Sequence, residues 1–186
     1  MIPVGYFPCT QDASDGKNIA RVIDELVEQA ELCEQVGFDG FFFTEHHQQD
    51  DGYLPSPVLL AGMIGMRTQR IKVGSCVLLA PLYHPIRLAE DIAVVDQATK
   101  GRMVAALGIG YQPHDFDAFG VPIKQRARRT EETVQILRLA WTGQAFSYDS
   151  KYHTIDNVRV TPPAYQQPGP PIWLAGWVPA GLERAG

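Results

Sequence analysis

Three titratable residues, Glu45, His46 and His47, follow the apolar stretch 40–43 after a single threonine, Thr44. An apolar run that turns polar within a few residues is typical of a buried parallel strand whose carboxyl end emerges at the edge of a sheet. In (β/α) barrels, catalytic side chains lie at that edge. Imidazole titrates near neutral pH, so these histidines are candidate proton-transfer groups. On the pattern alone, a structural role in which both histidines fix the loop by hydrogen bonds is favoured.

Side chains alternate along an extended chain, which places His46 on the same side as Thr44 and places Glu45 and His47 on the other side. Neighbouring histidines that point apart do not easily share one ion. No second cluster of ligands follows another predicted strand, so the sequence disfavours a metal site.

The elements that must position these residues alternate between strand and helix at roughly 30-residue spacing. Strands are predicted over residues 2–7, 38–45, 71–79, 103–110 and 172–177, and helices over 19–36, 57–68, 85–100 and 125–141, with a fifth starting at Pro179. Residues 146–160 alternate less cleanly and are interpreted as a hairpin insertion. This order requires a parallel sheet with right-handed crossovers, either doubly wound or barrel-like. The first predicted turn lacks the glycine fingerprint of a nucleotide loop, which disfavours a Rossmann dehydrogenase.

Composition is that of one globular domain over residues 1–186, with 45% hydrophobic residues and a net charge of −5. The acidic balance argues against nucleic acid or an anionic membrane as the main partner. The basic cluster at 124–129 is interpreted as a solvated helix start facing Glu131 and Glu132. Three scattered cysteines indicate a reducing compartment, and no secretion signal or membrane span is recognised, so a cytoplasmic protein is expected.

Several short stretches in serial order resemble the bacterial luciferase-like monooxygenase superfamily of flavin-dependent (β/α)8 barrels. They lie at residues 37–39 and 45–47, 73–75 with His84-Pro85, 88–91, 96–102, 116–121 and 171–176. The resemblance implies an α/β fold of the (β/α)8 TIM-barrel type. Such a barrel has eight strands and typically ~250 residues. The five predicted β/α units are therefore expected to be the N-terminal five-eighths of such a protein, incomplete at the C-terminus.

The resemblance also implies a site. His46 matches the catalytic first histidine of the family's Glu-His-His set. A non-prolyl cis peptide that supports the flavin ring is expected near Cys76-Val77. Gly108 and Gly110 would let a flat ring approach the backbone, although glycine at a strand end is often only turn chemistry.

Gly176 and Trp177, just before the helix that starts at Pro179, form a candidate phosphate site. The family also supplies Ser or Thr hydroxyls in this segment and an Arg after the fourth strand. This sequence has Trp177, Ala180 and Ile109 there. The departure places phosphate binding in question, or moves it to segments outside this chain.

The function implied is oxygenation of a small organic substrate by reduced FMN, which a separate flavin reductase supplies, and O2, in a pocket with Tyr53 and Tyr111 at its rim. The alternative within the family is hydride transfer with the deazaflavin coenzyme F420. A third possibility is an inactive fragment or a flavin-binding remnant. The resemblance further predicts a homodimer through the second and third helices in the full-length protein. Substrate identity does not follow from the sequence.

Overall fold

The computed structural model describes residues 2–12, 16–176 and 179–185. The strands are β1 Gly5–Tyr6, β2 Gly40–Phe43, β3 Lys72–Leu79, β4 Met103–Gly108, β5 Phe146–Asp149, β6 Thr154–Val158 and β7 Ile172–Leu174. The helices are α1 Ile19–Val36, α2 Pro57–Arg67, α3 Pro85–Ala98, α4 Pro113–Ala118, α5 Arg126–Ala140 and α6 Pro179–Ala185. None of the helices in these ranges combines the length and the apolar character needed to cross a membrane.

Five parallel strands form the main sheet in the order β1-β2-β3-β4-β7. The spatial order of these strands follows their order along the chain, so successive strands are always added on the same side. A doubly wound sheet instead reverses this direction at its switch point. The structure therefore confirms the α/β fold with five β/α units and favours the barrel-like winding over the doubly wound one. The predicted hairpin insertion is also confirmed, because β5 and β6 form a separate antiparallel pair.

The first helix shows why periodicity located these elements well. Val22, Leu26, Ala30 and Cys33 recur every three or four residues and form its buried stripe. Gly37 ends the helix with φ of 96°, a left-handed conformation that glycine adopts without a Cβ penalty. The apolar face of α1 is thus directed onto the sheet, and the chain then enters β2 directly.

The core lies between the sheet and the helices α1, α2, α3 and α5. All of β2 is buried, as expected for a strand covered on both faces. Trp141, at the end of α5, is almost fully buried and its indole Nε1 donates a hydrogen bond to the carbonyl of Ala89 at 3.1 Å. This bond ties α5 to α3 and satisfies the polar end of a large apolar side chain.

All five predicted strands are shorter in the structure, and the second covers Gly40–Phe43 rather than residues 38–45. The first covers Gly5–Tyr6 rather than residues 2–7, because the amide of Val4 is bound by the side chain of Asp39 at 2.8 Å. The last covers Ile172–Leu174 rather than 172–177. The short helix α4 was not predicted, although Pro113 at its first position and Asp115 in its first turn are both typical of a helix start.

Candidate active site

A cavity of 350 Å³ lies where the carboxyl ends of β2, β3, β4 and β7 meet. It is lined by Thr44, Glu45, His46, Cys76, Val77, Leu79, Gly108, Ile109, Gly110, Tyr111, Arg126, Ala175, Gly176 and Gly181. Residues separated by more than 100 positions thus meet at one edge of the sheet, which is where the strand order predicts a site. We call this space the strand-end cavity.

His46 is half-buried and lines the strand-end cavity. Its Nδ1 lies 2.9 Å from Nε2 of Gln112, and its ring packs edge-on against Tyr53 with 4.8 Å between centroids. An amide nitrogen can only donate, so Nδ1 is the acceptor and the proton of the neutral ring sits on Nε2. The imidazole is therefore held in one orientation with an N–H available for chemistry.

Glu45 and His47 have a different role from His46. His47 Nε2 lies 2.8 Å from Oε1 of Glu45, and both side chains are buried. The same carboxylate accepts hydrogen bonds from the Tyr83 hydroxyl at 2.9 Å and the Leu79 amide at 2.7 Å. Burial and the adjacent Glu45 charge raise the pKa of Tyr83, which stays protonated and donating. The alternation predicted from the sequence is confirmed, and the loop-fixing role falls to His47.

The third strand carries the irregularity that the resemblance implies. The peptide bond between Cys76 and Val77 is cis, and the pairing of β3 with β4 shifts register between Cys76 and Leu78. Val77 packs over Gly108, where an added Cβ would lie 2.6 Å from a Val77 methyl carbon. Burial raises the pKa of the Cys76 thiol, which disfavours its thiolate. Cys76 and Val77 therefore form part of the cavity wall.

The glycines close the cavity from two sides. Gly110 has φ of 71°, a conformation that favours glycine, and it packs against Phe116. Gly176 approaches α6 so closely that a Cβ would lie 2.4 Å from the backbone of Gly181. The structure thus brings Gly176 to the same end of the sheet as His46. Trp177 lies outside the described residues, so its predicted part in a phosphate site stays a prediction.

The two predicted pocket tyrosines are placed differently. Tyr111 lines the strand-end cavity and is 72% exposed. Tyr53 instead lies behind His46, where its hydroxyl is hydrogen bonded to the hydroxyl of Thr44. As placed, Tyr53 supports the imidazole and Tyr111 faces the space where a ligand would lie.

Two polar residues of the cavity region were missed from the sequence. Gln112 follows β4 in the rim segment, and Arg126 begins α5 and lines the cavity. Arg126 donates from Nη1 to the carbonyl of Ile123 at 3.0 Å, while its buried Nε has no hydrogen-bond partner in the part of the chain that the structure describes. The interpretation of the basic cluster as a solvated helix start holds for Arg128, which pairs with Glu131 and Glu132, and is wrong for Arg126. Arg126 and Arg128 are two residues apart, and residues at that spacing on a helix face in different directions. This spacing was the signal that the two arginines have different surroundings.

No group of three or more His, Cys, Asp or Glu side chains is arranged to hold a metal ion within the described ranges. The strand-end cavity therefore offers imidazole, a guanidinium, backbone amides and apolar surface. These groups suit a planar organic molecule with an anionic end.

A singly wound parallel sheet with a bulged third strand and a histidine at the strand-end cavity defines an enzyme-type (β/α) architecture. The family model for luciferase-like monooxygenases matches residues 2–186, and the chain belongs to this family.

Relatives with assigned activities include a monooxygenase and an F420-dependent dehydrogenase. The alkanal monooxygenase alpha chain of Photorhabdus laumondii is 29% identical over 83% of this chain and 43% of its own length. The F420-dependent glucose-6-phosphate dehydrogenase of Nakamurella multipartita is 30% identical over 87% of this chain and 49% of its own length. Among solved structures, the monooxygenase RslO1 from Streptomyces bottropensis superposes with a TM-score of 0.84 and 27% identity, over 92% of this chain and 52% of that one. The chain spans about half the length of the relatives it matches.

Proposed function

We propose that this chain carries the catalytic strand ends of a flavin-dependent monooxygenase that uses reduced FMN and O2 on a small organic substrate. The observation that carries the proposal is the convergence of His46, Gly108, Gly110 and Gly176 on one cavity. They lie at the ends of β2, β4 and β7, and the parallel sheet brings these strand ends to the edge where (β/α) barrels bind their ligands. Membership of the luciferase-like monooxygenase family supports the same reaction class.

The residues present fit a flavin. Gly108, Gly110 and Gly176 line the cavity, and the places of their missing side chains are filled by Val77, Phe116 and the backbone of Gly181. This close packing leaves a glycine-lined and apolar space that suits a flat ring. Among the described residues, the buried Nε of Arg126 has no hydrogen-bond partner, and it suits an anionic group. Arg126 is proposed to take the phosphate-binding part of the family's arginine, whose place after the fourth strand is held here by Ile109. When bound, reduced flavin supplies the electrons that activate O2.

The protein's own groups then control protons and water. His46 accepts from Gln112 at Nδ1 and so presents Nε2–H to the cavity, where it can donate to a reacting oxygen. The Glu45 carboxylate, with Tyr83 and His47, fixes the end of β2 against the end of β3. The buried floor excludes water from the side of the sheet, while Tyr111 is placed to cover the open side.

We expect the Gln112→Glu variant to shift the pH dependence of kcat/KM. A carboxylate beside Nδ1 of His46 favours the protonated imidazolium. The part of the kcat/KM profile that reports loss of the imidazolium proton therefore moves to higher pH, by about one unit. Steady-state rates between pH 5.5 and about 9 measure the shift. An unchanged profile would mean that His46 does not titrate in the rate-determining steps.

Reduced FMN is proposed to come from a separate flavin reductase, and the reaction to take place in the cytoplasm. The alternative is hydride transfer with coenzyme F420, favoured by a relative as similar as the alkanal monooxygenase. Consumption of O2 with chemically reduced FMN and candidate substrates supports the monooxygenase. Bleaching of added coenzyme F420 by candidate alcohols, without O2 uptake, would replace it with the alternative.

A third possibility is that the chain has no activity of its own. A cooperative unfolding transition together with flavin turnover by the 186-residue chain would reject it. A non-cooperative transition without flavin binding would support it.

A homodimer is proposed through α2 and α3. Leu59, Met63 and Met66 recur at helical spacing on α2 and are 69%, 45% and 65% exposed, and Val94 on α3 is 52% exposed. An exposed apolar stripe of this kind is typical of a protein interface. We expect Met63→Glu to raise the dimer Kd by about tenfold or more, because a charge would be buried at the contact.

Light scattering after size-exclusion chromatography at micromolar concentration measures this effect. Leu32→Glu is the matched control, since Leu32 is 57% exposed on α1. A monomeric mass for the unmodified protein would contradict the dimer.

A further inference from the structure

A second cavity, of 420 Å³, lies beside the turn between β5 and β6. We call it the hairpin cavity. Its lining is Pro81, Leu82, Tyr83, His84, Val121, Arg129, Tyr152, His153, Thr154 and Ile155. It is built from segments that follow β3 and β4 and from the hairpin.

Three side chains that carry or can carry positive charge converge on the hairpin cavity. Arg129 donates from Nε to Gln125 at 2.9 Å, and its guanidinium lies 5.0 Å from the centroid of the Tyr152 ring. These two contacts fix its plane and leave both terminal nitrogens for other acceptors. No carboxylate of the described ranges lies within ion-pair distance of Arg129. The rings of His84 and His153 are perpendicular, with 6.4 Å between their centroids.

The buried carboxylate nearest to this cluster is already saturated. Glu132 accepts hydrogen bonds from Ser150 at 2.6 Å, from His153 Nδ1 at 3.0 Å and from Arg128 at 3.1 Å. Burial alone would raise the pKa of Glu132, but these three hydrogen bonds outweigh it and lower the pKa. His153 is thereby held by Nδ1, and its Nε2 has no hydrogen-bond partner elsewhere in the described chain. Glu132 orients the cluster without supplying an acceptor to the cavity.

The charged groups around the hairpin cavity favour a bound anion. Burial lowers the pKa of His153, and the nearby charges of Arg129 and His84 lower it further against the opposing effect of Glu132. The fixed positive charge of the cavity is therefore that of Arg129, which is well suited to bind carboxylate or phosphate through two parallel hydrogen bonds, while His153 adds a donor from Nε2 only when its imidazole is protonated.

We propose that the hairpin cavity binds a small molecule through a carboxylate or phosphate group, held by Arg129, His84 and His153. Tyr152 borders the cavity, and its ring already contacts two cations, the Arg129 guanidinium at 5.0 Å and the Lys151 ammonium at 5.3 Å from the centroid. The site does not depend on the cofactor of the strand-end cavity. The hairpin cavity is nevertheless only one side chain away from the strand-end cavity, because Tyr83 lines the hairpin cavity and donates a hydrogen bond from its hydroxyl to Glu45.

Histidine-detected NMR on the 186-residue protein tests this site, with inorganic phosphate and benzoate as probes in separate titrations at constant ionic strength. Saturable shifts of the His84 and His153 imidazole signals are expected with at least one probe, and the probe that saturates identifies the group. On saturation the pKa of His153 should rise, because a bound anion stabilises the imidazolium.

Arg129→Gln is expected to raise the Kd of the binding probe by about tenfold or more. Arg129→Lys keeps the charge but loses the planar fork, and we expect an intermediate Kd. Lys124→Gln is the matched control, because it removes one exposed charge near the start of α5 and should change the Kd less than about twofold. Linear, non-saturating shifts with both probes would overturn the proposal, as would equal affinity of the protein and Arg129→Gln.

Discussion

Replacing His46 with alanine is expected to lower kcat by about tenfold or more while the Kd for flavin changes little. The imidazole presents one N–H to the strand-end cavity and is oriented by Gln112 and Tyr53, so its removal deletes a proton-transfer group. The glycine backbone that would contact the cofactor is unchanged. Oxygen uptake with reduced FMN gives kcat, and quenching of flavin fluorescence gives the Kd.

His114→Ala is the matched control for this variant. His114 also lies on the rim after β4, but its side chain is 46% exposed and it is absent from the strand-end cavity. We expect its kcat to stay within about twofold of the unmodified protein. Turnover by His46→Ala at the unmodified rate would remove His46 from the chemistry and leave it a purely structural residue.

The second large effect is on stability. Glu45→Ala is expected to lower the free energy of unfolding by about 3–5 kcal/mol. The change removes the acceptor of the Tyr83 hydroxyl, the Leu79 amide and His47, and leaves these buried groups without a partner. Urea unfolding followed by circular dichroism measures the difference.

Glu28→Ala provides the comparison, since Glu28 is exposed on α1 and its loss should cost less than about 0.5 kcal/mol. A cost for Glu45→Ala as small as that of Glu28→Ala would show that the Glu45 network does not fix the ends of β2 and β3.

The succession of elements could be predicted from the sequence because hydrophobic period and glycine positions are local signals. The stripe of α1 and its end at Gly37 are an example, and the separate hairpin of β5 and β6 is another. The exact strand lengths could not be predicted. The first strand is limited by the contact of Val4 with Asp39, a partner 35 residues away whose placement depends on the whole sheet.

The candidate site was predictable where it lies on strands. His46, Cys76, Val77, Gly108, Gly110 and Gly176 end or follow strands, and the sheet brings all six to one cavity. Gln112 and Arg126 come from the segment between β4 and α5, where orientation is set by tertiary packing rather than by period. Tyr53 was expected to contact substrate and instead packs behind His46, because a rim loop folds back in a way that spacing does not encode.

The most direct test of the strand-end site is an amide NMR titration of the 186-residue protein with FMN. Bound FMN is expected to shift the signals of Gly108, Gly110 and Gly176 together, with saturation at the same FMN concentration, because one ring contacts all three. Shifts confined to other residues, or separate saturation of the three glycines, would contradict the assignment of this cavity to a flavin.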